Sequence, residues 1–226
     1  LHRLRARHHQ GEPDGAALSG AIEHVALPAE AAARWLAALQ PALADGLSRT
    51  LVDLPLDADA VLRTVASSPV AARLEAALGP APWCNLSQSW LRHGRPPHSW
   101  HQDGALRHDF MAHWGRPGPA DALLEMRTLW IALTPGCGRN APGLQWVDAA
   151  IDGLLLPTEL TPDAVAARFG SACLRHAELE PGDALLFDGH LLHRTYLTPT
   201  MSGARLSLEL RFFRAAALPA RVAGDT

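Results

Sequence analysis

The sequence predicts an α+β protein, helices first and a β-sandwich or barrel core after them. Two observations carry this. Between Leu27 and Gly79 the apolar residues recur at helical spacing between capping signals, whereas from Ala81 onward they fall into short runs separated by Gly- and Pro-bearing turns. Helices followed by many short strands argue for an α+β arrangement. At 226 residues and 48% hydrophobic, the chain is long and apolar enough for one domain with a sizeable core.

In chain order, residues 1–20 are polar, begin with the basic run His2-Arg3-Leu4-Arg5-Ala6-Arg7-His8-His9, and are expected to be flexible. Residues 21–226 are expected to form the domain, with a helical part over about 27–80 and a strand-rich part over about 81–214. Leu27-Pro28-Ala29-Glu30 opens a helix carrying Trp35, Leu36, Leu39 and Leu43 on one stripe, with Pro41 near its end. A second helix runs from Asp57 to Val65. A third has Ser68 as cap, Pro69 at its first position and Gly79 just past its end. Trp83, Leu86, Trp90 and Leu91 read as a strand closed by Gly94-Arg95-Pro96-Pro97, and a further strand carries His101. The Gly/Pro-bearing loop from Arg107 to Ala122 is long enough to be functional and is expected to cover a site. Leu123–Leu133 and Gly143–Val147 read as strands, Thr161–Gly170 as a capped helix, and Ala184–Phe187, Leu191–Leu197 and Arg205–Phe213 as strands, with Pro181-Gly182-Asp183 a turn.

Composition removes several function classes. The formal net charge is −3 and Lys and Arg do not cluster on one face, so the electrostatic footprint of a nucleic-acid binder is missing. Cys84, Cys137 and Cys173 are odd in number and widely spaced, which fits neither a structural zinc site nor a disulfide framework and suggests a reducing cytoplasm. No apolar run approaches the roughly twenty residues needed to cross a bilayer. A soluble, cytoplasmic protein is expected.

The chemistry concentrates in Ser99-Trp100-His101-Gln102-Asp103. On a strand, residues two apart share a face, so the imidazole of His101 and the carboxylate of Asp103 can address one metal ion if a third ligand arrives from elsewhere. Phe187-Asp188-Gly189-His190-Leu191-Leu192-His193-Arg194-Thr195 offers His190 and His193, which cannot both face the ion from one strand. Two histidines and a carboxylate on one side of an ion, with open positions opposite, suit non-haem Fe(II). His98, His108 and His113 flank the motif and read as solvated loop residues.

Taken together, Trp100-His101-Gln102-Asp103, Leu129-Trp130-Ile131-Ala132-Leu133, Glu180-Pro181-Gly182-Asp183-Ala184-Leu185-Leu186-Phe187, His193-Arg194-Thr195 and Arg205 resemble the phytanoyl-CoA dioxygenase family of Fe(II)- and 2-oxoglutarate-dependent oxygenases. The resemblance spans about Trp83 to Phe213. It implies a double-stranded β-helix, a cupin-like jelly roll with the N-terminal helices packed on one sheet. It also implies that His101, Asp103 and His193 hold Fe(II), with O2 and 2-oxoglutarate as cosubstrates and succinate and CO2 as coproducts of C–H hydroxylation. Arg205 would take the distal carboxylate of 2-oxoglutarate, since a guanidinium can make two parallel charge-assisted hydrogen bonds to it. Thr195 would add a hydroxyl, Trp130 would pack over the cosubstrate, and Arg92 or Gln88 would lie nearby. Halogenating relatives replace the aspartate with a small residue, so Asp103 implies oxygenation. Asp148-Ala149-Ala150 departs from the family pattern, which has Gly-Ser-His there.

Within the covering loop, Phe110 and Trp114 offer apolar lining and Arg107 and Arg116 anion contacts, which would suit a small metabolite carrying a carboxylate. Two other readings stand beside the oxygenase: a cupin-like metalloprotein that uses no 2-oxoglutarate, and a non-catalytic binding protein on the same fold.

Overall fold

Local capping chemistry sets the helices of the computed structural model, which describes residues 22–94, 97–105, 126–151 and 153–215. Helix α1 (Ala29–Leu39) buries Trp35 and Leu39 and gives way to a 3-10 turn at Gln40–Ala42, where Pro41 cannot continue the α-helical hydrogen bonding. In α2 (Ala58–Ala66) the Asp57 carboxylate accepts the Ala60 N–H at 3.0 Å. Helix α3 (Val70–Leu78) follows Pro69 and stops at Gly79, which adopts φ +79°. The last, α4 (Pro162–Phe169), is capped by the Thr161 hydroxyl, which accepts the Ala164 N–H at 3.2 Å.

Among the described residues ten strands form two antiparallel sheets. The larger holds β1 (Ile22–Ala26), β2 (Arg49–Thr50), β3 (Trp83–Cys84), β4 (Trp90–Gly94), β5 (Arg127–Ala132), β8 (Asp183–Asp188) and β10 (Arg205–Phe213) in the order β1-β8-β5-β10-β4-β2, with β3 also on β10. The smaller is β7 (Leu174–His176), β6 (Gly143–Val147) and β9 (His193–Tyr196). Between β8 and the preceding chain, Gly182 is required by geometry: its φ is +96°, and a Cβ there would meet the Leu27 carbonyl oxygen at 2.9 Å.

Three departures from the sequence reading matter. β1, β2 and β7 were not expected; each is short, and their partners lie far away in sequence. His101 does not sit on a strand: it makes one isolated antiparallel bridge to His193, and residues 103–105 form a helical turn opened by Asp103. Gln88 belongs to the 3-10 turn Leu86–Gln88 rather than to a strand. The expected strand over Leu123–Leu133 is described from Arg127, its earlier part lying outside the described residues.

The large sheet is buried on both faces. Leu206, Leu208, Leu210 and Phe212 of β10 join Trp35, Leu39, Val61 and Leu74 in one core between sheet and helices. Trp130, Leu185 and Phe187 point the other way and meet Leu144 and Trp146 of β6, forming a second core between the sheets. Because side chains alternate along a strand, the odd-numbered residues of β10, Arg205, Ser207, Glu209 and Arg211, face that inter-sheet space. Among the described residues no helix is long and apolar enough to cross a membrane.

Leu208 is 0% exposed at the centre of the helix–sheet core, so Leu208→Ala should lower unfolding stability by about 2–5 kcal/mol in denaturant titration. Cys84 and Cys137 are buried, and burial pushes both thiols up, Cys84 to about 12, while Cys173 is only partly buried. Native-state alkylation read by mass spectrometry should therefore modify Cys173 first and the other two only on unfolding.

Candidate metal centre

The segment carrying the expected ligands is anchored by its other residues. Trp100 is buried among Val147, Val165 and Leu192, and Arg194 lies over its ring at 4.6 Å. Gln102, also buried, donates to the carbonyls of Gly153 (3.0 Å) and His190 (2.9 Å) and accepts the Leu155 N–H (2.8 Å). With Trp100 and Gln102 fixed in this way, His101 and Asp103 turn toward the space between the sheets.

His193 reaches the same point from β9. The His101 N–H donates to the His193 carbonyl at 2.9 Å, and the His193 N–H returns the bond at 3.0 Å. The two rings lie 4.2 Å apart between centroids. Each Nδ1 faces a backbone carbonyl, Ser99 at 2.7 Å and Leu191 at 2.9 Å. A carbonyl can only accept, so each Nδ1 carries a proton, and in the neutral ring Nε2 is then the nitrogen with a free lone pair. Both Nε2 atoms approach Asp103 Oδ1, at 3.8 Å from His101 and 3.9 Å from His193. Burial, reinforced by the neighbouring His101, pushes His193 down to about 4, so it is neutral at neutral pH. Three electron-pair donors thus converge, one ligand atom from each residue lying within 4.8 Å of the others, and this donor set fits a divalent cation.

Asp103 itself is 1% exposed and held from behind. Its Oδ2 accepts the Thr128 hydroxyl at 2.6 Å, and Arg211 reaches Oδ1 through Nη2 at 3.2 Å and Oδ2 through Nε at 3.4 Å. Burial acts to raise the Asp103 carboxyl, but the Arg211 guanidinium, with the two imidazoles and the Thr128 hydroxyl, holds it well below the usual carboxylate range. Arg211 also donates to the Gln88 carbonyl and lies 3.5 Å from Glu209, whose other partner is Arg92 at 2.9 Å.

Arg205 contrasts with this network. It is 4% exposed, and its Nε has no hydrogen-bond partner among the described residues. Two more inward donors of the same wall have no hydrogen-bond partner among the described residues, the Ser207 hydroxyl and Trp130 Nε1. A buried guanidinium with a free N–H is suited to an anion such as a carboxylate.

The remaining candidates fall elsewhere or do other work. Thr195 faces the site, and its hydroxyl accepts the His98 N–H at 2.9 Å, which leaves its proton free to donate. Gln88 contributes a carbonyl to Arg211. Arg92 is engaged with Glu209 and lies over Trp90 at 4.9 Å. His190 stays outside the triad, its N–H bound to Asp188 at 2.9 Å. Arg107, Phe110, Trp114 and Arg116 lie outside the described residues. Sequence reading did not place Thr128, Ser207, Glu209 or Arg211 in the site. The alternation of polar and apolar residues along β10 was the available signal.

No family model matches the chain, and no curated protein does. Solved structures do. EctD from S. alaskensis, solved with 2-oxoglutarate and 5-hydroxyectoine, superposes with a TM-score of 0.62 at 18% identity, over 88% of this chain and 73% of EctD. This chain shares their fold. The epimerase SnoN from nogalamycin biosynthesis, described as non-haem and α-ketoglutarate-dependent, gives a TM-score of 0.57 at 18% identity, over 87% of this chain and 80% of SnoN. AviO1 from Streptomyces viridochromogenes Tue57 gives 0.55 at 17% identity, over 89% and 93% of the two chains.

If the triad binds a cation, His101→Ala and Asp103→Ala should each abolish stoichiometric Fe(II) binding in anaerobic titration, while His190→Ala should retain it.

Proposed function

We propose that this protein is an Fe(II)- and 2-oxoglutarate-dependent dioxygenase of the phytanoyl-CoA dioxygenase type, built on a double-stranded β-helix, that hydroxylates a C–H bond of a small molecule. The observation that carries the reading is the pairing of two features in one inter-sheet space. Two imidazoles and a carboxylate converge, and β10 carries a buried arginine, Arg205, whose Nε has no hydrogen-bond partner among the described residues. Relatives in fold support the cofactors: EctD was crystallised with 2-oxoglutarate, and SnoN with Fe3+ and α-ketoglutarate.

In this reading His101 Nε2, His193 Nε2 and Asp103 Oδ1 hold the ion from one side and leave the opposite positions for ligands. Arg205 binds the far carboxylate of 2-oxoglutarate, with the Ser207 hydroxyl and the Trp130 indole N–H as further donors. Leu185, Phe187 and Trp146 keep water from this part of the pocket, which strengthens those hydrogen bonds. When bound, iron and 2-oxoglutarate together supply dioxygen activation, with release of succinate and CO2. Retention of Asp103 favours oxygenation over halogenation. The substrate is expected to be a small molecule, as the 5-hydroxyectoine of the EctD structure and the nogalamycin RO of the SnoN complex are.

Anaerobic addition of Fe(II) and then 2-oxoglutarate should produce a weak visible charge-transfer band that is absent from His101→Ala. Arg205→Ala should keep the metal and weaken 2-oxoglutarate by about 2–5 kcal/mol, read from titration of that band. Metal binding without any band would overturn the reading in favour of a metalloprotein that uses no 2-oxoglutarate.

A further inference from the structure

We infer that Arg211 and Thr128 are positioning residues that clamp Asp103 so that it presents a single oxygen, Oδ1, to the metal. The inference rests on the metal-centre reading above and goes beyond it by assigning a task to two residues that touch no proposed ligand of the ion other than Asp103.

The two residues stand directly opposite each other on paired strands, Arg211 on β10 and Thr128 on β5. Both point into the inter-sheet space and both meet the same carboxylate. Thr128 Oγ1 donates to Oδ2 at 2.6 Å, and Arg211 Nε adds a longer bond to that oxygen at 3.4 Å. Oδ2 is therefore turned toward the sheet, while Oδ1 faces His101 and His193 at 3.8 and 3.9 Å and receives Arg211 Nη2 at 3.2 Å. Arg211 is fixed in turn by the Gln88 carbonyl and by Glu209, which Arg92 holds from the far side. The chain of contacts thus runs from the partly buried Arg92 to the buried carboxylate through groups that are each held at both ends.

A carboxylate free to rotate can give a metal both oxygens. Asp103 starts a short helical turn and has no regular strand to hold it, so its orientation depends on what grips the carboxylate itself. Holding Oδ2 against Thr128 and Arg211 keeps one coordination position from being taken by the protein, and a chelating cosubstrate needs that position.

Calorimetric titration with Co(II) as the probe, on the wild type and on Thr128→Val, Arg211→Lys and Arg211→Met, tests this. Metal-free thermal melts are recorded for each protein. Arg211→Met should bind Co(II) about 10- to 100-fold more weakly than wild type, as is usual when a residue supporting a metal ligand is lost. Thr128→Val, which changes no charge, should show a smaller loss in the same direction. Arg211→Lys should recover part of the affinity. A purely structural role would lower the melting temperature and leave the Co(II) affinity of the folded protein unchanged, and that result would overturn the clamp. Tighter binding in Arg211→Met would overturn it too, since Arg211 would then act only as a repelling charge. If Arg211→Met does not fold, Thr128→Val and Arg211→Lys decide by the same criteria. Wild type that binds no Co(II) overturns the metal centre together with the clamp; wild type that binds it, with unaffected variants, overturns the clamp alone.

Discussion

Strand β10 imposes the constraint on which the rest depends: it is buried on both faces, with opposite chemistry on each. Its leucines and Phe212 lie against the helices, which leaves Arg205, Ser207, Glu209 and Arg211 inside the sandwich. Charges taken out of water destabilise a fold by several kcal/mol each unless they are partnered. Arg92, Glu209, Arg211 and Asp103 answer that demand as an alternating row of positive and negative groups. The apolar half of the strand fixes where the helices sit, and the polar half fixes where the ligands sit.

Within that row the two buried arginines of β10 do different work, and the difference lies in their partners rather than in their residue type. Arg211 is saturated by carboxylates and a carbonyl, which makes it part of the framework. Arg205 faces the same interior with its Nε unpartnered among the described residues, which leaves it a donor to offer. Similarly, the two histidines are alike in one respect that matters for ligation: each spends Nδ1 on a carbonyl two residues before it. That short loop-back contact orients each ring from the backbone alone and needs no second carboxylate beside it.

Much of this was legible in the sequence, for reasons that can be named. Helices α2, α3 and α4 announce themselves through Asp57, Gly79, Thr161 and Pro162, because capping is local chemistry. An apolar, strand-like run identified β10, and Pro181-Gly182-Asp183 identified the turn before β8. His101 and Asp103 were read as facing together, and they do, although the strand invoked to make them so is absent; Trp100 and Gln102, pulled the opposite way into their own contacts, produce the same alternation in irregular backbone. What could not be read was partnership. The alternation in β10 says that Arg211 faces inward but not that Asp103 waits there, 108 positions away. Strand β1 escaped for a related reason, since Ile22-Glu23-His24-Val25-Ala26 has little local signal and exists because β8 offers it an edge.

The bridge between His101 and His193 carries a consequence for how the protein is made. Two backbone hydrogen bonds join His101 and His193 directly, and the chain between them contains β5, β6, β7 and β8. The site is thus assembled from contacts of high sequence separation, the kind that closes late because loop entropy has to be overcome first. A nascent or truncated chain lacking β9 and β10 would carry two of the three triad residues, His101 and Asp103, without His193 or Arg205. Convergence of His101, Asp103 and His193 is in this sense a readout of completed folding.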